Sequence, residues 1–258
     1  MTQLIFDMEK QLQKNSSDFC NDQVLTNKRA IQRATNKDFQ IQDYIEGMIR
    51  SMLTAMVDWY RIKPHFDNGE ISDIFSNYDP QKLKKADPIF LETEIRKIKC
   101  GNICISKQMK ALGHNVEVLQ NIECKYGTID QYFRYLLKNY PSVGYLELQT
   151  FIKDYRLAEM GVALICEFLK NMGFDLPKPD RHLRRFFGKE RIGYSKQKNA
   201  SEKEVFDIVE NLAQSTGKTR QEIDLIVWAY CAEGYGQICT AKPKCNNCVC
   251  NTYCHLPH

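Results

Sequence analysis

The sequence predicts an all-α protein, on three observations. Apolar residues recur at helical spacing along most of the chain. Two of these runs open on Ser/Thr followed three residues later by Glu, the capping-box signature of a helix start. No run alternates apolar and polar residues as a half-buried strand would, and no Asn-Gly turn joins two such runs.

The elements follow in order. Ile41, Tyr44, Ile45, Met48, Ile49, Met52, Leu53 and Met56 form one apolar helical stripe. Val118, Leu119 and Ile122 form part of a second, and Ile129, Tyr132, Phe133, Leu136 and Leu137 a third. Val205, Ile208, Val209 and Leu212 follow, opened by Ser201 and Glu204. The last, Ile223, Leu225, Ile226, Trp228 and Ala229, is opened by Thr219 and Glu222. Lys63-Pro64, Asp79-Pro80, Asp87-Pro88 and Tyr140-Pro141 are expected to break the helices into short pieces, and Leu176-Pro177-Lys178-Pro179 most sharply. No low-complexity linker and no repeat interrupts this bundle.

With 258 residues the chain suits one large domain or two small ones sharing an interface. An apolar share of 43% and a charged share of 26% let it bury a core without disulfides. No stretch approaches the roughly 18 apolar residues that a membrane span needs. The N-terminus lacks the basic start and apolar run of a signal peptide, so a cytoplasmic protein without a membrane partner is expected.

The net charge of +4 hides a local concentration: residues 170–199 hold nine Lys/Arg against three acids. Such a surface suits a polyanion such as nucleic acid, or is a solvated basic face.

Six of the eleven cysteines are scattered and read as small apolar residues, whereas five fall in the last twenty positions. In a reducing compartment a cluster of this kind points to metal. Cys239, Cys245, Cys248 and Cys254 have the spacing C-x5-C-x2-C-x5-C, with Cys250 left over. Four thiolates suit tetrahedral zinc or an iron–sulfur cube. Zinc ribbons pair two C-x2-C units, and only one is present here.

This closing segment resembles the cluster loop of the endonuclease III-like members of the helix-hairpin-helix (HhH-GPD) DNA glycosylase superfamily. So does Trp228-Ala-Tyr-Cys-Ala-Glu-Gly-Tyr-Gly-Gln-Ile-Cys239 before it. The resemblance implies a two-lobed helical DNA glycosylase fold with a helix-hairpin-helix and a four-iron–four-sulfur (4Fe-4S) cluster. It implies a monomer that binds double-stranded DNA with a flipped-out base. Lys242 and Lys244 would touch phosphate from the first loop between ligands. Residues 41–164 would form the helical lobe ending in the hairpin. Residues 1–40 with 165–258 would form the cluster lobe, with the active site in the cleft between them.

Two further segments carry the resemblance. Leu157-Ala-Glu-Met-Gly161-Val-Ala163-Leu-Ile165 stands where the family has its phosphate-binding hairpin, L-P-G-V-G-x-K-x-A. Gly161 keeps the second glycine, Glu159 replaces the first, and Ala163 stands where bifunctional members carry a nucleophilic lysine. About twenty residues on, Lys178-Pro179-Asp180-Arg181-His182-Leu-Arg184-Arg185 resembles the V-D-x-H-like element bearing the catalytic aspartate. Breaking an N-glycosidic bond builds positive charge on the sugar, and a fixed carboxylate stabilises it and can activate water. Asp180 is therefore the expected catalyst, although an aspartate after Pro179 also suits a helix cap. Arg181 and Arg184 beside it are expected on DNA, and His182 is expected as a packed, hydrogen-bonded residue.

A glycosylase fills the space left by the flipped base. Met52-Leu-Thr-Ala-Met56-Val-Asp58-Trp59 lies at the place of the family's L-L-S-A-Q-x-T segment. Met56 would be an apolar wedge, or else a core methionine, and Asp58 and Trp59 would line the base pocket. The resemblance as a whole implies a monofunctional glycosylase of base excision repair. A non-catalytic cluster protein that binds DNA and a zinc-bound structural or regulatory protein are the alternatives.

Overall fold

The computed structural model describes residues 2–16, 19, 28–35, 38–57 and 59–256. Among them the regular elements are helices and no strand occurs. In chain order these are α1 (Thr2–Asn15), α2 (Ile41–Leu53), α3 (Trp59–Asp67), α4 (Glu70–Ile74), α5 (Pro80–Lys84) and α6 (Pro88–Lys97). Then come α7 (Ile105–Tyr126), α8 (Ile129–Leu136), α9 (Tyr145–Asp154), α10 (Val162–Asn171), α11 (Arg181–Phe186), α12 (Glu202–Thr216) and α13 (Arg220–Cys231). Residues 28–34 are also helical. The chain divides into two compact units, residues 31–174 and residues 1–30 with 175–258.

The continuous unit is organised around α2, which packs on α10 and α7. Its stripe residues Tyr44, Ile45, Met48, Ile49 and Met52 are fully buried. Gly47 permits the close approach of α10's end: a Cβ there would stand 2.8 Å from Met172 Sδ. At the far end of the unit Asp130, wholly buried, accepts from Arg33, from the Tyr44 hydroxyl at 3.0 Å and from Phe39 N–H at 2.7 Å. The Arg33 guanidinium also sits 3.8 Å over the Phe174 ring. This core draws in residues on both sides of 41–164, which is why the unit runs from 31 to 174.

Asp79-Pro80 and Asp87-Pro88 divide the chain into short helices as expected, and they do so by starting new ones. Asp79 Oδ1 accepts from Gln81 N (2.8 Å) and Lys82 N (3.1 Å), Asp87 Oδ1 accepts from Ile89 N (2.9 Å), and each proline takes the first helical position, where no N–H is needed. Pro64 lies inside α3, which ends three residues later. Met56 is not on a helix: α2 stops at Leu53 because its last carbonyls find other donors. The Thr54 hydroxyl donates to Arg50 O (3.1 Å) and Ser51 O (3.0 Å), and Asn102 Nδ2 donates to Met52 O (2.9 Å).

The discontinuous unit packs α1 against α13 and α12. Leu4, Ile5, Met8 and Leu12 of α1 meet Ile223, Ile226, Val227 and Tyr230 of α13 in one core with Val205, Val209 and Leu212 of α12. Each such side chain contributes roughly 1.5–3 kcal/mol by leaving water. Both expected capping boxes are formed, at Ser201/Glu204 and Thr219/Glu222. No helix among the described residues is long and apolar enough to cross a membrane.

Candidate active site and cysteine loop

Asp180 is placed by the proline-fixed segment before it and the short helix after it. Lys178 N–H donates to the buried Asp224 (2.7 Å), and Asp180 N–H donates to Lys178 O (2.7 Å). Asp180 then caps α11: its Oδ1 accepts from His182 N at 2.7 Å and Leu183 N at 3.2 Å. Its Oδ2 has no hydrogen bond among the described residues. One carboxylate oxygen is thus fixed by backbone donors and the other is available. Cap and catalyst are compatible roles for this residue.

Helix α11 links this acid to the cysteine loop. Burial pushes the His182 imidazole below its ordinary range, so the ring is neutral at neutral pH; Asp180 pulls the other way. Arg185 Nη2 lies 3.3 Å from His182 Nδ1 and donates to Cys239 O at 3.0 Å. Arg181 is exposed. Arg184 is half-buried and its Nε donates to Ala200 O (2.8 Å), so it anchors the loop after α11. Lys242 and Lys244 are exposed on the loop between Cys239 and Cys245, and Lys244 N–H ties that loop back to Ile238 O at 2.9 Å.

Among the described residues no three His, Cys, Asp or Glu side chains converge as a metal site. The surroundings of the thiols nevertheless suit bound thiolates. A hydrogen bond from the buried Cys231 thiol holds Cys239 below the usual thiol range, and Arg191 and Arg185 add attraction. Among the described residues Arg185 Nε and Arg191 Nη1 are buried without a hydrogen-bond partner, two cationic donors that an anionic group there would satisfy. Cys248 Sγ has the Tyr230 hydroxyl at 3.5 Å and Cys250 N–H at 3.4 Å. Cys250 is buried, and its thiol, which donates to Cys248, is pushed well above its ordinary range. The leftover cysteine is thus a donor to Cys248.

In the continuous unit the hairpin between α9 and α10 has the expected turn in altered chemistry. Glu159, exposed, takes φ +57, the left-handed conformation that favours glycine. Gly161 caps α10 with an ordinary φ of −74, and a Cβ there would meet nothing within 4 Å. The fold itself therefore leaves this helix start open. Asn115, buried on α7, clamps the turn: it donates to Ala158 O (3.0 Å) and accepts from Ala158 N (2.7 Å). Ala163 is half-buried in the first turn of α10.

Met56 is 69% exposed and left-handed (φ +57), which removes the core reading of this residue. Trp59 is half-buried, 6.0 Å from the Phe66 ring, and the Arg50 guanidinium lies 4.3 Å over its face. Asp58 lies outside the described residues. Two features of the neighbouring loop carry no sequence signal. Asn102 ties its own loop to the end of α2, and its neighbour Ile103 is 84% exposed. An isolated isoleucine in Gly-Asn-Ile-Cys carries no signal of exposure; only the clamp by Asn102 gives it a place.

The arrangement of these helices is the fold of a solved DNA glycosylase/lyase. The chain is similar to the crystal structure of the Methanocaldococcus jannaschii 8-oxoguanine glycosylase/lyase in complex with a 15mer DNA containing 8-oxoguanine. The TM-score is 0.58 at 15% identity, over 90% of this chain and 98% of that one. No family model and no curated protein sequence matches the chain.

Proposed function

We propose that this chain is a monofunctional DNA glycosylase of base excision repair. It binds double-stranded DNA, turns one damaged, mispaired or modified base out of the stack, and hydrolyses its N-glycosidic bond. The observation that carries the reading is Asp180, with Oδ1 fixed by two backbone N–H groups and Oδ2 free, in a chain of glycosylase fold. As the bond from C1′ to the base nitrogen breaks, the electron pair leaves with the base and positive charge develops on the sugar. The free oxygen of Asp180 stabilises that charge and takes a proton from the water that bonds to C1′. The departing base nitrogen takes a proton from solvent and Asp180 returns the water proton to solvent, so the products are the neutral free base and an abasic site.

Ala163 offers no nitrogen to attack C1′, so no Schiff base forms and the strand stays uncut. The similar archaeal protein is a glycosylase/lyase; the glycosylase step alone is proposed for this chain. Gly161 and the open start of α10, with Lys242, Lys244 and Arg181, contact phosphate. Exposed Met56 and Ile103 supply apolar wedges, and Trp59 under Arg50 supplies a stacking face for the base.

Cys239, Cys245, Cys248 and Cys254 would hold the 4Fe-4S cluster, supported by the buried donors around them. When bound, the cluster supplies a rigid anionic cross-link of the loop carrying Lys242 and Lys244.

The test is incubation with duplexes each bearing uracil, a mispaired thymine or adenine, an alkylated purine or 8-oxoguanine. Strand breaks are expected only after alkali, with no borohydride-trapped adduct. A trapped adduct would remove the monofunctional assignment. Binding without release from any duplex would favour a non-catalytic DNA-binding protein.

A further inference from the structure

Two helices hold the cysteine loop by contacts that ligand spacing alone does not require. Tyr230 on α13 is fully buried. Its hydroxyl oxygen receives Val249 N–H at 3.0 Å, and lies 2.9 Å from Gln11 Oε1 and 3.5 Å from Cys248 Sγ. Gln11 on α1 donates from Nε2 to Asn247 O at 2.7 Å. The residues on either side of Cys248 are therefore pinned by Tyr230, whose hydroxyl also reaches the Cys248 sulfur, and by Gln11, which bonds that hydroxyl.

A phenol has one proton, and here it has two acceptors. A neutral sulfur is a weak acceptor, so the amide oxygen of Gln11 takes the proton when Cys248 is a thiol. A metal-bound thiolate carries negative charge, and charge-assisted hydrogen bonds are roughly twice as strong as neutral ones. Ligation thus draws the proton toward sulfur. Hydrogen bonds to the sulfurs of an iron–sulfur cluster favour its more negative, reduced form and raise its potential.

We propose that Tyr230 is a positioning residue for the Cys248 ligand, that its hydroxyl hydrogen-bonds the bound thiolate, and that Gln11 competes for the same proton. The assignment rests on the cluster reading of the cysteine loop. It gives the N-terminal helix a part in the properties of the centre.

The experiment uses the full chain purified anaerobically as wild type, Tyr230→Phe and Gln11→Leu. Iron and sulfide content, the reduction potential and the rate of bleaching in air are measured on each. Tyr230→Phe is expected to keep its iron, move the potential negative and bleach several times faster. Gln11→Leu, which frees the phenol proton for sulfur, is expected to move the potential positive. A merely structural role would move both variants the same way, and that result overturns the proposal. So does a Tyr230→Phe protein with wild-type potential and bleaching. If Tyr230→Phe fails to fold, the sign of the Gln11→Leu shift decides alone. A wild type that purifies without iron overturns the cluster reading itself, and this assignment with it.

Discussion

The two units hold their functional groups by different means. In the discontinuous unit, side chains of fixed chemistry grip backbone: Asp180 caps α11, Arg185 reaches Cys239 O, and Arg184 reaches Ala200 O. In the continuous unit, backbone shape presents the groups. Met56 and Glu159 both stand in left-handed turns, and Asn102 and Asn115 clamp the loops that carry them or adjoin them. A grip of the first kind depends on residue type, so it leaves a motif. A turn of the second kind can be held by different residues if another group supports it, so it leaves a weaker motif. Glu159, a non-glycine residue in the left-handed region, is the clearest case.

The largest effect is expected at Asp180. Asp180→Asn should lower base release by roughly 10²–10⁴-fold. Asparagine caps as well as aspartate, so thermal unfolding should move little. If release is unchanged, or falls only as far as stability falls, Asp180 is a cap alone. In the continuous unit the matching test is Asp130→Asn, which leaves Arg33 as a buried charge without its carboxylate. Breaking a buried pair costs about 3–5 kcal/mol. Urea unfolding should show a loss of that size.

A smaller effect, opposite in sign, is expected at the hairpin. A non-glycine residue in the left-handed region costs roughly 1–2 kcal/mol, partly offset by the entropy that glycine loses on folding. Glu159→Gly should hold or slightly raise stability. It should also tighten duplex binding several-fold at fixed salt, since a carboxylate leaves a surface proposed to meet phosphate. Weaker binding would show that Glu159 serves the contact.

The smallest effect is a pH dependence confined to the discontinuous unit. Burial lowers His182 below 6.5 in the folded protein. Above that pH the ring is neutral in both states and contributes no difference. Below it the unfolded chain takes the proton first, so stability declines as pH falls through the folded value. His182→Gln should flatten the decline between wild-type melting curves taken at successive pH values. A wild type equally stable across that window would contradict the burial argument.

The same contrast governs what could be read from sequence. The helical class, both capping boxes and the segment around Asp180 were legible because periodicity and cap chemistry are local. The end of α2 was not, because it depends on Asn102, about fifty residues away in the chain, and Met56 was therefore placed on a helix it does not join. Asn115 was equally silent, since a buried asparagine on an amphipathic helix is recognised only by the turn it holds. Arg33 and Asp130 lie far apart in sequence, and neither residue signals a buried charge by its neighbours.

The discontinuity of one unit also bears on how the chain is made. Helix α1 is synthesised 209 and 236 residues ahead of two of its partners: Lys218, which pairs with Glu9 at 2.8 Å, and Asn247, whose carbonyl receives Gln11. At about 5–20 residues per second, that wait is on the order of ten seconds or more. During it Leu4, Ile5, Met8 and Leu12 lack the α11, α12 and α13 side chains of their final core. The nascent chain thus exposes a sticky amphipathic helix while residues 31–174 are being completed. A chaperone that binds short apolar helices would find its site on the Leu4, Ile5, Met8 and Leu12 face of α1.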